Sequence, residues 1–136
     1  MLIVRSLRRG KSFPFAGEHD NLKEVMIDRD LASLGDAFIN FAYSLALSNR
    51  KGKPAGAKVK GTLLAEALRR AGLRGEFPSR ASSHDLADAA EALIVYCWLH
   101  GYLTLEEIVS VLEKTETPVD GLTKLLGRIR LGVTFP

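Results

Sequence analysis

Two segments of the sequence are apolar on almost every side of a helix, and they constrain the fold more than any other feature. In residues 30–48, apolar side chains recur at the three- and four-residue spacing of a helix, beginning at Leu31, Leu34 and Phe38. Residues 84–100 show the same spacing from Leu86 to Trp98. Helices that are apolar all round belong in the interior of a domain. The pattern therefore predicts two central helices that are buried nearly all round.

The remaining sequence predicts further helices around this pair and few strands. Segments 60–71, 104–114 and 118–129 have helical periodicity. Residue types that typically begin or end helices flank these segments and the second central helix. These residues are Gly72, Ser82 with Asp85, Thr104, and Thr117 followed by Pro118. We expect a mostly helical, all-α fold, with weak strand signals only near the two ends.

Length and composition favour one domain over residues 1–136, since 136 residues can build a single core and leave little room for a second. No apolar run approaches the roughly 18 residues of a membrane-spanning helix. The basic start of the chain also does not fit a signal peptide. The sequence therefore predicts a cytoplasmic protein with no membrane partner. The single cysteine, Cys97, excludes an intramolecular disulfide and cannot form a cysteine zinc site alone.

Acidic side chains interrupt both central helices. Asp36 lies on the first helix, with Ser33 and Asn40 on the same face. Asp88 and Glu91 are three residues apart on the second helix and lie side by side. Buried carboxylates are costly unless they are paired or bind a metal, so three converging acids predict a site for Mg²⁺ or Mn²⁺. Acid pairs three residues apart are common on helices, and the spacing alone also fits a solvent-exposed seam or pairing with arginine.

The wording of the two segments resembles the two motifs of the ribonuclease III family. Residues 34–39 read LGDAFI, similar to the leucine-glycine-aspartate signature of the first motif. Residues 86–94 read LADAAEALI, similar to the second motif, in which a glutamate follows an aspartate by three residues. The motifs occur in the family's order, about fifty residues apart, and the resemblance covers about residues 28–115.

This resemblance implies a ribonuclease III-like helical domain that forms a homodimer and cleaves double-stranded RNA with Mg²⁺. It implies that Asp36, Asp88 and Glu91 are catalytic and bind the metal. Ser33 and Asn40 would then orient these ligands from behind them. Structured precursors of ribosomal or transfer RNA are the expected substrates. The short chain looks most similar to the single-domain branch called Mini-III, which trims ribosomal RNA precursors.

The sequence departs from the family pattern just before the first aspartate. Full-length members carry a glutamate four residues upstream of it, where this chain has Ala32. Arg29 and Asp30 also depart from the fuller signature. The missing carboxylate favours an alternative, a catalytically weak or inactive RNA-binding or assembly protein on the same fold. A helical bundle of unrelated function is the third interpretation.

Basic residues concentrate in the first part of the chain. Residues 1–80 carry 15 Lys and Arg against 8 Asp and Glu, whereas residues 81–136 carry 4 against 8. A basic surface beside acids suits a polyanion held near a metal site. We predict that the loop after the first central helix contacts RNA phosphates, although a solvated loop explains any single lysine equally well. The predicted contacts are Arg50, Lys51, Lys53, Lys58 and Lys60.

Overall fold

A computed structural model describes residues 13–77 and 80–135 of the chain. Within these ranges the regular elements are six α-helices and two short 3-10 turns, at Pro14–Ala16 and Arg74–Glu76. The helices are α1 (Leu22–Met26), α2 (Arg29–Lys51), α3 (Gly61–Arg70), α4 (Ser83–Leu99), α5 (Leu105–Lys114) and α6 (Pro118–Gly132). The all-α prediction is confirmed. The weak strand signal near the N-terminus falls outside the described residues.

Helix α4 is the centre of the fold. It packs against α2 and α3 over most of its length, and also against α1 and α6. From Leu86 to Leu99 every residue is buried except Asp88 and Trp98, which are partly exposed. The prediction of a helix buried nearly all round is therefore confirmed for α4. Glu91 is only 6% exposed, so the core contains a carboxylate.

Helix α2 is not surrounded, and the prediction that it is buried nearly all round is wrong. Its side toward α4 and α5 is buried, including Ile39 and Ala42. Next to that side runs the apolar stripe that carries Phe38, and there Leu34 is 38% exposed and Phe41 is 56% exposed. The physical reason is that no element of the described residues packs over this second apolar face. The sequence pattern is the same for an internal helix and for a helix with an uncovered apolar face.

Capping side chains set where the helices begin. The Ser82 hydroxyl accepts from the Asp85 N–H, and the Asp85 carboxylate accepts from the Ser82 N–H at 2.9 Å. This is the predicted capping box of α4. Thr104 and Thr117 cap α5 and α6 as predicted. Helix α1, capped by Asn21, was not predicted because five residues are too few for a periodic pattern.

A glycine brings α2 into contact with the backbone of α4. A Cβ atom at Gly35 would lie 2.2 Å from the carbonyl oxygen of Glu91 and 2.5 Å from its carbonyl carbon. No side chain larger than hydrogen fits there unless one of the helices moves. The contact lies directly beside Asp36 on α2 and at Glu91 on α4. The two acidic motifs are therefore in close contact through the backbones of α2 and α4.

Among the helices of the described residues, none has both the length and the apolar character that crossing a bilayer requires.

Candidate metal and RNA site

The three predicted acids lie together. Asp36 from α2, with Asp88 and Glu91 from α4, line one open pocket of about 420 Å³. The pocket is large enough for a nucleotide-sized ligand. Other residues of both helices, of α3 and of the loop before it complete the wall. They are Arg29, Ala32, Ser33, Val59, Gly61, Leu64, His84 and Ala87.

Glu91 is the electrostatic centre of this pocket. Burial raises its pKa to about 8, helped by a hydrogen bond with the Asp36 carboxyl and by the charges of Asp36 and Asp88. The ammonium group of Lys58 acts in the opposite direction. Removing this carboxyl from water and surrounding it with negative charge favours the protonated form near neutral pH. A bound cation would reverse this balance.

The other two acids are more exposed than the sequence suggested. Asp36 is exposed, and the Asp88 side chain is 39% exposed, so Glu91 is the buried member of the three. The expectation of three buried carboxylates is wrong, because Asp36 on α2 and Asp88 on α4 lie where water in the open pocket reaches them. Asp88 also has a cationic neighbour. The Arg29 guanidinium lies 3.7 Å from the Asp88 carboxylate and 3.5 Å from that of Asp85.

The donor set of the pocket suits a hard divalent cation. Three carboxylates supply the oxygen ligands that Mg²⁺ and Mn²⁺ prefer. Within residues 13–77 and 80–135, however, no three His, Cys, Asp or Glu side chains stand in an arrangement that could already hold a metal ion. Asp36 and Glu91 contact each other, whereas Asp88 is engaged by Arg29. The three carboxylates are therefore suitable ligands for such an ion, but one of them, Asp88, is paired with Arg29.

Asn40 connects Asp36 to the loop that follows α2. Its amide nitrogen donates to the Asp36 carboxylate at 3.1 Å, and its amide oxygen accepts from the Val59 N–H at 2.8 Å. These two bonds restrict the rotation of the Asp36 side chain and place the loop beside it. The structure thus puts Asn40 behind an acid of the pocket, as a supporting role requires, whereas Ser33 lies on the pocket wall itself.

Two serines continue this line of contacts and were not predicted. The Ser44 hydroxyl accepts from the Ala57 N–H at 3.0 Å, and the Ser48 hydroxyl accepts from the Ala55 N–H at 2.9 Å. The Ser44 hydroxyl also donates to the Ala57 carbonyl at 3.1 Å, whereas the Ser48 hydroxyl has two carbonyl acceptors within reach, that of Ser44 at 2.8 Å and that of Ala55 at 3.1 Å. The signal in the sequence is the four-residue spacing of Asn40, Ser44 and Ser48, which places them on one face of α2.

These contacts fix the course of the loop and so the position of one lysine. Lys58 lies between two residues whose N–H groups are bound by α2, and its charge lowers the pKa of Glu91. Lys58 is therefore a predicted RNA contact whose charge also acts on Glu91. All four lysines predicted to contact RNA are exposed: Lys51, Lys53, Lys58 and Lys60.

The Arg50 side chain, predicted to contact RNA, is hydrogen-bonded within the protein. Its guanidinium donates to the carbonyls of Leu112, at 3.2 Å, of Glu113, at 2.8 Å, and of Thr115. These carbonyls end α5, where a helix has unpaired acceptors and partial negative charge. Arg50 therefore joins the end of α2 to the end of α5. The basic residues of residues 1–12, Arg5, Arg8, Arg9 and Lys11, lie outside the described residues.

A comparison with protein families identifies the domain that carries these residues. The family model described as ribonuclease III matches residues 29–127, well over half of the chain. The chain belongs to the ribonuclease III family. The match begins at the first residue of α2, ends within α6, and includes both acidic motifs. A search of curated proteins found no significant match to the chain.

Membership in the ribonuclease III family does not distinguish the Mini-III branch, which stays a prediction.

Ala32, which stands where the family pattern has a glutamate, lies at the acid pocket. Ala32 is 4% exposed and lies in the wall of the acid pocket. A glutamate at this position would add a fourth carboxylate to that wall. This ribonuclease III domain therefore has a less negative pocket than the family pattern implies.

Proposed function

We propose that the protein is a metal-dependent endoribonuclease that cleaves double-stranded or structured RNA. The observation that carries this proposal is the meeting of Asp36, Asp88 and Glu91 in one open pocket, on the motifs of a ribonuclease III domain. A buried glutamate that holds a proton near neutral pH is unfavourable in a structural core. Its presence beside two other acids is accounted for if the pocket binds a cation.

In this proposal Asp36, Asp88 and Glu91 hold Mg²⁺ or Mn²⁺. When bound, such an ion lowers the pKa of a ligand water and stabilises charge on the phosphodiester. The chain's own contribution is the placement of the ligands. Gly35 allows the two motifs to meet at the backbone, and Asn40 holds the Asp36 carboxylate in one orientation.

The basic residues at the end of α2 and in the loop after it bind the RNA backbone in this proposal. Lys51, Lys53, Lys58 and Lys60 supply the charge, and Arg50 keeps the end of α2 in place. The support is that hydrogen bonds to α2 hold the loop next to the acids. Precursors of ribosomal or transfer RNA remain the proposed substrates, and the single domain and cytoplasmic location remain predictions.

A homodimer is also part of the proposal, and the uncovered face of α2 supports it. Leu34 and Phe41 are exposed there, beside Phe38, which stacks on Trp98 at 4.7 Å between ring centroids. Phe13 extends the group with a centroid 5.5 Å from that of Trp98. A continuous exposed apolar and aromatic surface of this kind is typical of an interface.

Phe41→Ser is expected to convert the dimer to a monomer, because it removes an aromatic side chain from the centre of the apolar face. Phe41 is 56% exposed in one chain, so the substitution should change the stability of the monomer little. Light scattering coupled to gel filtration measures the mass. Leu131→Ser is the matched control, since Leu131 is 68% exposed on α6. If the wild-type protein is a monomer, or if Phe41→Ser and Leu131→Ser lose the dimer equally, the α2 interface is wrong.

A second candidate function is a catalytically weak or inactive RNA-binding or assembly protein. Two observations favour it: Ala32 replaces a family carboxylate, and Arg29 engages Asp88. Both lower the negative charge available for a divalent ion. Under this alternative the basic loop still binds RNA, and the pocket does not cleave it.

A cleavage assay separates the two functions. Purified protein is incubated with a labelled RNA duplex and Mg²⁺ or Mn²⁺, with EDTA in a parallel reaction. The enzyme proposal expects defined fragments with either metal and intact RNA with EDTA. Binding of the duplex without metal-dependent cleavage would support the second candidate and reject the first.

A further inference from the structure

We propose that Arg29 is a phosphate-anchoring residue of the acid pocket, held by Asp88 and Asp85 until an RNA phosphate replaces them as its partner. This inference rests on the proposed function, because it requires RNA to reach this pocket. It concerns a residue for which neither the family match nor the acidic motifs suggest a role.

The position of Arg29 is the first argument. Arg29 is the first residue of α2 and lies on the same helical face as Ala32 and Asp36. It lines the acid pocket. It also lines a neighbouring pocket formed with Met26, Phe77 and Asp85. A guanidinium between two adjoining pockets can reach ligands in both.

The contacts of Arg29 are the second argument, because they are weak. The guanidinium makes one contact of 3.5 Å to Asp85 and one of 3.7 Å to Asp88, which are two separate carboxylates. The side chain is 79% exposed. Exposed ion pairs of this geometry contribute little to stability, so Arg29 can change partner at small cost. Its planar set of N–H donors matches two phosphate oxygens better than it matches two separate acids.

The balance of charge in the pocket is the third argument. Three carboxylates line it, and Ala32 takes the place of a fourth. Arg29 lies beside Asp88, and Lys58 acts on Glu91. Cationic side chains thus flank the acids. When a divalent ion engages Asp88, Arg29 loses this partner. An RNA phosphate that approaches the ion would provide a new one.

In this arrangement Arg29 competes with the metal ion for Asp88, whereas it contributes to the binding of RNA. Removing the Arg29 side chain should therefore change the affinity for metal and the affinity for RNA in opposite directions. Arg29→Ala is expected to bind Mn²⁺ about two- to fivefold more tightly, as expected when one exposed ion pair is lost. It is expected to bind a short RNA duplex about tenfold more weakly, the usual size of one charge-assisted hydrogen-bonding contact.

The experiment measures the two affinities separately from cleavage. Mn²⁺ alone is titrated into the protein by calorimetry, and binding of a short RNA duplex is measured by fluorescence anisotropy with Ca²⁺. Arg29→Lys keeps the charge without the planar fork, so its Mn²⁺ affinity should match wild type and its RNA affinity should lie between the other two. Arg69→Ala is the matched control. Arg69 pairs with Glu66 and donates to Ser83 near the start of α4, but it lies outside the pocket wall.

Opposite changes in Arg29→Ala, with none in Arg69→Ala, support the anchoring role. Weaker binding of both Mn²⁺ and RNA, together with a lower unfolding temperature, shows a structural role and overturns it. Equal RNA affinities of wild type and Arg29→Ala, including no binding by either, also overturn it. If wild type binds the duplex and never cleaves it, the enzyme proposal fails while the two affinities still decide the role of Arg29.

Discussion

Glu91→Gln is expected to abolish metal-dependent RNA cleavage and, at the same time, to make the metal-free protein more stable at alkaline pH. Gln has nearly the shape of Glu, so the α2–α4 packing around position 91 should persist. The variant lacks the negative charge that would bind the ion. Loss of a metal ligand removes several kcal/mol of transition-state stabilisation, which corresponds to a cleavage rate lower by about a thousandfold or more.

The stability effect follows from the pKa of Glu91. Its value is about 8 in the folded chain against 4.5 for an unperturbed glutamate, so folding favours the protonated form. The stabilising contribution of that proton is complete below 4.5 and is lost as the pH rises toward 8. Glu91→Gln has no such loss. The gain over wild type above this range is about 2 kcal/mol, less than the full shift would give because the carboxyl borders an open pocket.

Urea unfolding in EDTA at about pH 5 and about pH 9 measures this difference. Glu106→Gln is the matched control, because Glu106 is an exposed glutamate at the start of α5. It should leave both cleavage and the pH dependence unchanged. Cleavage at the wild-type rate by Glu91→Gln would contradict the role of Glu91 as a ligand. A variant less stable than wild type at both pH values would show that the carboxyl has a structural role.

Gly35→Ala is expected to destabilise the fold strongly and to prevent metal binding. Its Cβ would lie 2.2 Å from the Glu91 carbonyl oxygen, which is backbone and cannot rotate away. Helix α2 would have to move from α4, separating Asp36 from Glu91. Overpacking of this kind costs about 1–3 kcal/mol, and the backbone contact places this case at about 3 kcal/mol. Urea unfolding and Mn²⁺ calorimetry measure the two effects.

Gly127→Ala is the matched control within α6. A Cβ there meets no atom within 4 Å, and its position is helical. Alanine favours a helix over glycine by about 1 kcal/mol, so the control should be neutral or more stable. If Gly35→Ala keeps wild-type stability, α2 and α4 can separate freely, and the close backbone approach does not hold the acids together.

The sequence by itself determined the five longer helices, α2 to α6, and where acidic residues lie along them. Periodicity and capping are local properties, since they depend on residues three or four apart, and they placed α3 to α6 close to their observed bounds. The capping box at Ser82 and Asp85 is one such local feature. The two motifs also identified the family, because each motif is a short continuous segment. Helix α1 was not predicted because it is too short to show a helical period.

The tertiary structure decided what these residues contact. Arg50 looked like a free cation of the loop, but the end of α5 lies within its reach. Asp88 looked like a buried ligand, but the start of α2 places Arg29 beside it. Helix α2 looked internal, and one apolar face has no cover within the described part of the chain. These outcomes depend on how helices distant in sequence pack against each other, and the local pattern of any one helix does not encode that packing.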